Sequence, residues 1–172
     1  MFLTESQYFC KTFKIINMKK LGLLTILLIG FMAVQAQSPI GKGGKNINLG
    51  TGFSSNGLPV YFGMDFGVHS DITVGFNASY RFNNNGKDPL GLSANGNYHF
   101  NTILDIPRQW DLYAGLNLGF VAWLGDGNGD YSPLGLDLQI GGRYYWSDWG
   151  INLEFGGGTG FSGGKIGLSK KL

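Results

Sequence analysis

The chain has 172 residues, room for one domain. Only 14% of them are charged, against about 25% in soluble domains, while Gly (30) and aromatic residues (15%) are plentiful, which argues against a fully water-covered surface. The formal net charge of +2 comes from the first 36 residues: from Gln37 onward nine Lys and Arg face ten Asp and Glu, a net −1 with no basic stripe, so nucleic acid is not an expected partner.

Met18-Lys19-Lys20 is a positive n-region, Leu21 to Val34 an apolar h-region, and Val34-Gln35-Ala36 fits a signal-peptidase site with cleavage after Ala36. The apolar run is about 14 residues, short of the ~20 that a spanning helix needs. Residues 18–36 are therefore expected to be a signal peptide. Residues 1–17 make little sense in front of it and are expected to be an over-called start. The only Cys, Cys10, lies there, so the mature chain has no disulfide, thiol nucleophile or Cys-based metal site.

Residues 37–45 (QSPIGKGGK) form a polar, Gly-rich lead-in, and residues 46–172 carry eight segments with period-two alternation, the signature of strands. The first sets Ile47, Leu49 and Phe53 against Asn48, Gly50, Gly52 and Ser54. The second sets Val60, Phe62, Met64, Phe66 and Val68 against Gly63, Asp65 and Gly67. The third sets Ile72, Val74, Phe76, Ala78, Tyr80 and Phe82 against Thr73, Gly75, Asn77, Ser79 and Arg81. The fourth sets Leu90, Leu92, Ala94, Tyr98 and Phe100 against Ser93, Asn95, Asn97 and His99. The fifth is the clearest, with Trp110, Leu112, Ala114, Leu116, Leu118, Phe120 and Ala122 against Asp111, Tyr113, Gly115, Asn117 and Gly119. The sixth sets Leu134, Leu136, Leu138, Ile140 and Tyr144 against Asp137, Gln139, Gly141 and Arg143. The seventh sets Trp149, Ile151, Leu153 and Phe155 against Gly150, Asn152 and Glu154. The eighth is weakest, Ile166 and Leu168 against Lys165, Gly167 and Ser169. A helix, repeating near 3.6 residues, would not sort these sets onto two faces.

The joints alternate in kind. His69-Ser70-Asp71 and Ser147-Asp148 are tight, and Thr102 to Gln109 is longer and contains Pro107. Ser55-Asn56-Gly57, Asn83 to Asp88, Gly125 to Asp130 and Gly156 to Gly163 are rich in Gly, Asn and Asp, which favour turns. One end thus carries mostly tight turns and the other polar loops.

The expected fold is all-β, an eight-stranded antiparallel up-and-down transmembrane β-barrel with its apolar face outward. The apolar face is larger than a narrow barrel could pack inside. The other face is mostly Gly, Ser and Asn, which suits a lumen only wide enough for side chains. A water-facing exterior would instead be studded with Lys and Glu. Trp110, Trp146 and Trp149 fall by the tight turns and Trp123 by a long loop, as interfacial aromatics do. Trp123 falls in the polar register and calls for a bulge or an exposed position. Closure is required, because an open edge in lipid leaves backbone groups unpaired at several kcal/mol each.

In the signal peptide, the stretch GFGVHSDITVGFNASYRF around the first tight turn and WDLYAGLNLGF in the fifth strand, residues about 47–172 resemble the small OmpA/OmpX-type outer-membrane barrel families. That resemblance implies a Gram-negative cell envelope, short periplasmic turns and longer external loops. It also implies outer-membrane lipid and the barrel-insertion machinery as partners. Such families often end on an aromatic residue read at insertion. Leu172 departs from that pattern, which bears on insertion efficiency rather than on fold.

The polar face carries Asp65, Arg81, Asp111, Asp137, Arg143, Glu154 and Lys165. Lone charges in a narrow lumen are very costly, so an internal salt-bridge network is expected, with Glu154 the favoured partner of Arg143. Its role is expected to be a structural plug, with a gate or small ion path as the alternative. The only mature histidines, His69 and His99, lie by the tight turns, away from outer-leaflet lipid A. His69 reads as a turn residue, His99 as a lumen or rim residue, and no catalytic residue is expected. Asp126-Gly127-Asn128-Gly129-Asp130 superficially resembles a calcium loop, but its twelfth position, Asp137, falls within a strand. No phosphate loop, paired Cys or His cluster points to a nucleotide, metal or other cofactor. The expected function is a non-enzymatic structural or surface-contact role. A small porin-like channel, an adhesion module acting through its loops and a soluble periplasmic lipocalin-like barrel are the alternatives.

Overall fold

The computed structural model describes residues 37–54, 57–82, 88–125, 133–159, 161 and 163–172. The start and signal segments, residues 83–87 and the Asp126 to Asp130 loop lie outside the described residues.

Eight strands follow in chain order: β1 (Lys45–Phe53), β2 (Leu58–His69), β3 (Ile72–Phe82), β4 (Asp88–His99), β5 (Trp110–Leu124), β6 (Leu134–Trp146), β7 (Trp149–Gly158) and β8 (Gly163–Lys171). Each pairs antiparallel with the next, and β8 closes on β1 through a register that runs from Asn46↔Lys171 to Phe53↔Gly164. The sheet therefore has no free edge, and the ladder satisfies its own backbone groups.

The faces sort as the alternation predicts. Leu116 and Leu138 point outward at 52% and 68% exposed, while their neighbours Asn117 and Gln139 point inward at 2% and 4%. Phe76 is likewise exposed and Asn77 half-buried. In water, each outward Leu or Phe would forgo about 1.5–3 kcal/mol of burial; a hydrocarbon surround removes that cost. Among the described residues no helix is long and apolar enough to cross a membrane.

Several joints differ from expectation. The Gly156 to Gly163 stretch is not all loop, because β7 continues to Gly158 and β8 begins at Gly163, with Gly156 paired to Gly163. Glycines join the ladder through their backbone, which side-chain alternation cannot reveal. The fourth connection holds one helical turn, α1 (Asn101–Leu104), closed by Asp105 at a φ of 53°. His69 is not in the turn but ends β2, opposite Ile72 and just after a register shift between Gly67 and His69. No shift accompanies Trp123, which faces Pro89 in an unbroken β4–β5 register and is half-buried. It takes an inward position rather than the bulged or exposed one expected. At the last rung of a barrel, fewer side chains compete for the lumen, so a ring fits there.

The lead-in is also more ordered than its composition suggests. Gly43 N–H donates to Gly67 O and Gly67 N–H to Gly44 O, both at 2.8 Å. Arg108 Nη2 donates to Gln37 Oε1 at 2.7 Å. Ile40 is 1% exposed. A Cβ at Gly67 would lie 2.1 Å from Gly41 O, so the close approach of this segment to the inward face of β2 requires glycine there. The lead-in closes the tight-turn end of the lumen.

Candidate functional site

The lumen gathers the chemistry. Arg143 on β6 is its centre, with Nη2 2.7 Å from Asp65 Oδ2 on β2 and Nη1 3.1 Å from Asp111 Oδ2 on β5. Asp111 is its direct cross-strand neighbour, whereas Asp65 sits four strands away, on the facing wall. The guanidinium also lies over the Tyr113 ring, 4.3 Å from its centroid. All three charged side chains are almost fully buried. A buried charge is tolerable only when paired and hydrogen-bonded, and every carboxylate oxygen of Asp65 and Asp111 has at least one partner, while Arg143 Nε has none among the described residues. Asp65 accepts from Asn48 Nδ2 and Asn95 Nδ2, both at 2.9 Å.

Asp111 Oδ1 meets His99 Nδ1 at 2.6 Å, and His99 Nε2 meets Thr73 Oγ1 at 3.0 Å. A carboxylate only accepts, so the Nδ1 of His99 carries a proton. Thr73, His99 and Asp111 thus have the hydrogen-bond order of a nucleophile–base–acid relay. Thr73 and His99 are 0% exposed, and the imidazole packs against Tyr113 with centroids 5.7 Å apart. A catalytic relay needs reach to a substrate. This one is enclosed by the wall, and its chemistry is to lock the orientation of Asp111.

The other expected charges form separate groups. Glu154 does not pair with Arg143; it lies opposite Lys165 on β8, with Oε1 2.5 Å from Nζ, and accepts from Tyr113 Oη at 3.0 Å. The reason is register: Arg143 faces Asn152 on β7, and Glu154 lies two residues further along. Arg81 and Asp137 belong to the loop end, both buried on the inward faces of β3 and β6. Asp137 Oδ2 also accepts from Phe161 N–H at 2.7 Å, so the twelfth position of the apparent calcium loop is already engaged inside the lumen.

Residues outside the expected set complete the filling. Tyr61 Oη donates to Asn152 and Tyr145 Oη to Asn46 Oδ1 at 3.1 Å, tying β2 to β7 and β6 to β1. Tyr113 needs Gly141 opposite it, where a Cβ would lie 2.3 Å from the ring's Cζ. Phe161 is 6% exposed and reaches in over Gly91, where a Cβ would lie 2.7 Å from its Cε1. Phe161 at the loop end and Ile40 at the tight-turn end are apolar stoppers on a polar interior. Neither lies within a strand, so period-two alternation gave no sign of them.

Of the expected boundary aromatics, Trp110, Trp146 and Trp149 are 56%, 49% and 46% exposed on the outward face at the tight-turn end. Trp146 and Trp149 face one another across the Ser147-Asp148 turn, and Trp110 stacks at a tilt on Tyr144, 4.7 Å between centroids. Among the described residues no group of His, Cys, Asp and Glu is arranged to hold a metal ion.

No protein-family model matches the chain, and no curated protein matches it. Solved structures do. The N-terminal β-barrel domain of Pseudomonas aeruginosa OprF aligns with a TM-score of 0.60 at 13% identity, over 77% of this chain and 99% of that one. A de novo designed transmembrane β-barrel aligns at 0.54 and 16% identity, over 76% and 97%. The Yersinia pestis outer-membrane protein Ail, determined in a phospholipid nanodisc, aligns at 0.51 and 12% identity, over 76% and 100%. The fold is thus that of the small OmpA/OmpX-type outer-membrane barrels, a closed eight-stranded transmembrane architecture.

Proposed function

We propose that this chain is a non-enzymatic barrel of the Gram-negative outer membrane, non-conducting at rest, with a structural or surface-contact role. In this reading residues 18–36 direct export and are cleaved after Ala36, the insertion machinery places the barrel, and outer-membrane lipid is its solvent. The tight turns then face the periplasm and the polar loops the exterior. One observation carries the reading: a closed barrel with its apolar residues outward and a charge-paired, hydrogen-bonded lumen stopped at both ends by Ile40 and Phe161. Such a lumen works as a strut, and the polar loops are the part that would meet partners.

The experiment is gel mobility with and without boiling on outer-membrane fractions, paired with planar-bilayer recording. The reading expects resistance to SDS until heating, a mobility shift on boiling and no steady conductance. Recovery in the periplasmic fraction without detergent contradicts it. Steady conductance, altered by substituting Arg143, would replace the strut with a channel.

A further inference from the structure

The outward wall is not uniformly filled. Between β5 and β8 an apolar groove of about 460 Å³ opens on the outer face, lined among others by Leu112, Tyr144, Leu153 and Ile166. Its cause is Gly142, a residue without a side chain in an outward register otherwise occupied by Ile140, Tyr144 and Trp146. Gly142 pairs with Leu112 on one side and Leu153 on the other, and Leu153 pairs with Ile166. A Cβ there would meet nothing closer than Asp111 O at 3.6 Å, so the vacancy is real space and not a tight backbone contact.

The charge around the groove is equally uneven. Among the described strand residues, the Lys, Arg, Asp and Glu in the outward register are Lys45 and Lys170 at the tight-turn rim and Asp88 at the loop rim. Lys170 lies opposite Trp149, with Nζ 4.9 Å from the indole centroid. It is four residues from Ile166 along β8, about 13 Å of strand. Lys45 lies two residues before Ile47, the β1 partner of Lys170. Two outward lysines, one of them over an indole and with Asp148 in the adjoining turn, thus stand within one leaflet's hydrocarbon depth, about 15 Å, of an apolar groove on the same wall.

We propose that this face is a specific site for one diacyl phospholipid with an anionic headgroup. Its phosphate sits at Lys170, with Lys45 nearby, and one acyl chain lies over Gly142. The proposal rests on the membrane reading above and goes beyond it, since a generic barrel wall would take any lipid. Charge complementarity selects a phosphate-bearing anionic lipid over a second copy of the chain, whose matching face would set Lys170 against another cationic rim.

The test uses protein purified from membranes in mild detergent, offered phosphatidylglycerol or phosphatidylcholine with identical acyl chains, and native mass spectrometry to count retained lipids. The wild type should retain one phosphatidylglycerol. The K170Q variant should lose about fivefold in preference for it, the effect of one lysine near an anionic surface. The G142L variant, which fills the groove, should lose retention of both lipids while still showing the heat-dependent gel shift of a folded barrel. Equal retention of the two lipids by the wild type overturns the proposal, as does unchanged retention in folded G142L. A doubled mass that G142L abolishes also overturns it and makes the groove a contact between copies. A chain with no heat shift and no need of detergent fails the membrane reading itself, and the lipid site falls with it. A wild type that shifts but retains no lipid fails only the site.

Discussion

Arg143 on β6 reaches across the lumen to Asp65 on β2, the strand that faces it, with Nη2 2.7 Å from Oδ2. The contact spans the barrel's width and joins residues 78 apart in sequence. It makes the interior a brace between opposite walls as well as a filling.

Removing the brace from one side is expected to cost more than removing both ends. Arg143→Met leaves Asp65 and Asp111 buried without their cation and should destabilise the barrel by about 3–5 kcal/mol, while Arg143→Met combined with Asp65→Asn and Asp111→Asn should recover most of that. Urea unfolding from lipid vesicles, followed by tryptophan fluorescence, measures both. A triple variant no more stable than the single one contradicts the brace.

The Glu154–Lys165 pair is less buried, about 12–13% exposed at the side chains. Glu154→Gln should therefore cost less than Arg143→Met, and Lys165→Met in the same background should cost little more, because the two changes share one interaction. The same unfolding measurement reads the cycle. Additive costs would mean that the two residues act separately.

Sequence alternation carried most of the fold, for a physical reason. A wall between hydrocarbon and a packed lumen forces period two on each strand, as β5 displays from Trp110 to Ala122. Alternation names a face but not a partner. Arg143 and Glu154 share the inward face of neighbouring strands, so the sequence favours pairing them, yet the register sets Arg143 opposite Asn152 and Glu154 opposite Lys165. The Asp65 contact depends on which strands face across the closed barrel and at what stagger, a global quantity. Ile40 and Phe161 lie in segments rich in glycine, where composition suggests loop and only tertiary contact reveals a stopper.

The lead-in gives a third expectation. Gly67→Val places side-chain atoms where Gly41 O now sits, so residues 37–44 should detach while the strands stay paired. Limited proteolysis of detergent-solubilised protein should then cleave at Lys42 in the variant and spare the wild type. Equal cleavage of the two would show that the lead-in does not dock at the tight-turn end.

Membrane depth gives a fourth. Leu138→Arg, in the middle of β6 and outward, should cost about 2–4 kcal/mol when the barrel sits in a bilayer. In a soluble barrel the same exposed position should tolerate Arg within about 0.5 kcal/mol. Unfolding free energies in vesicles of fixed composition decide between the two.

The most direct measurement concerns which way the wall faces. Single cysteines, each carrying a nitroxide, are placed at positions 76, 116 and 138 and at 77, 117 and 139 in separate proteins reconstituted in bilayers, with Cys10 replaced where it persists. Positions 76, 116 and 138 should be relaxed strongly by lipid-dissolved oxygen and hardly at all by a water-soluble nickel chelate, and positions 77, 117 and 139 should be shielded from both. Oxygen reaching the second set while the first is shielded would mean that the greasy side points inward, and the account would be wrong at its root.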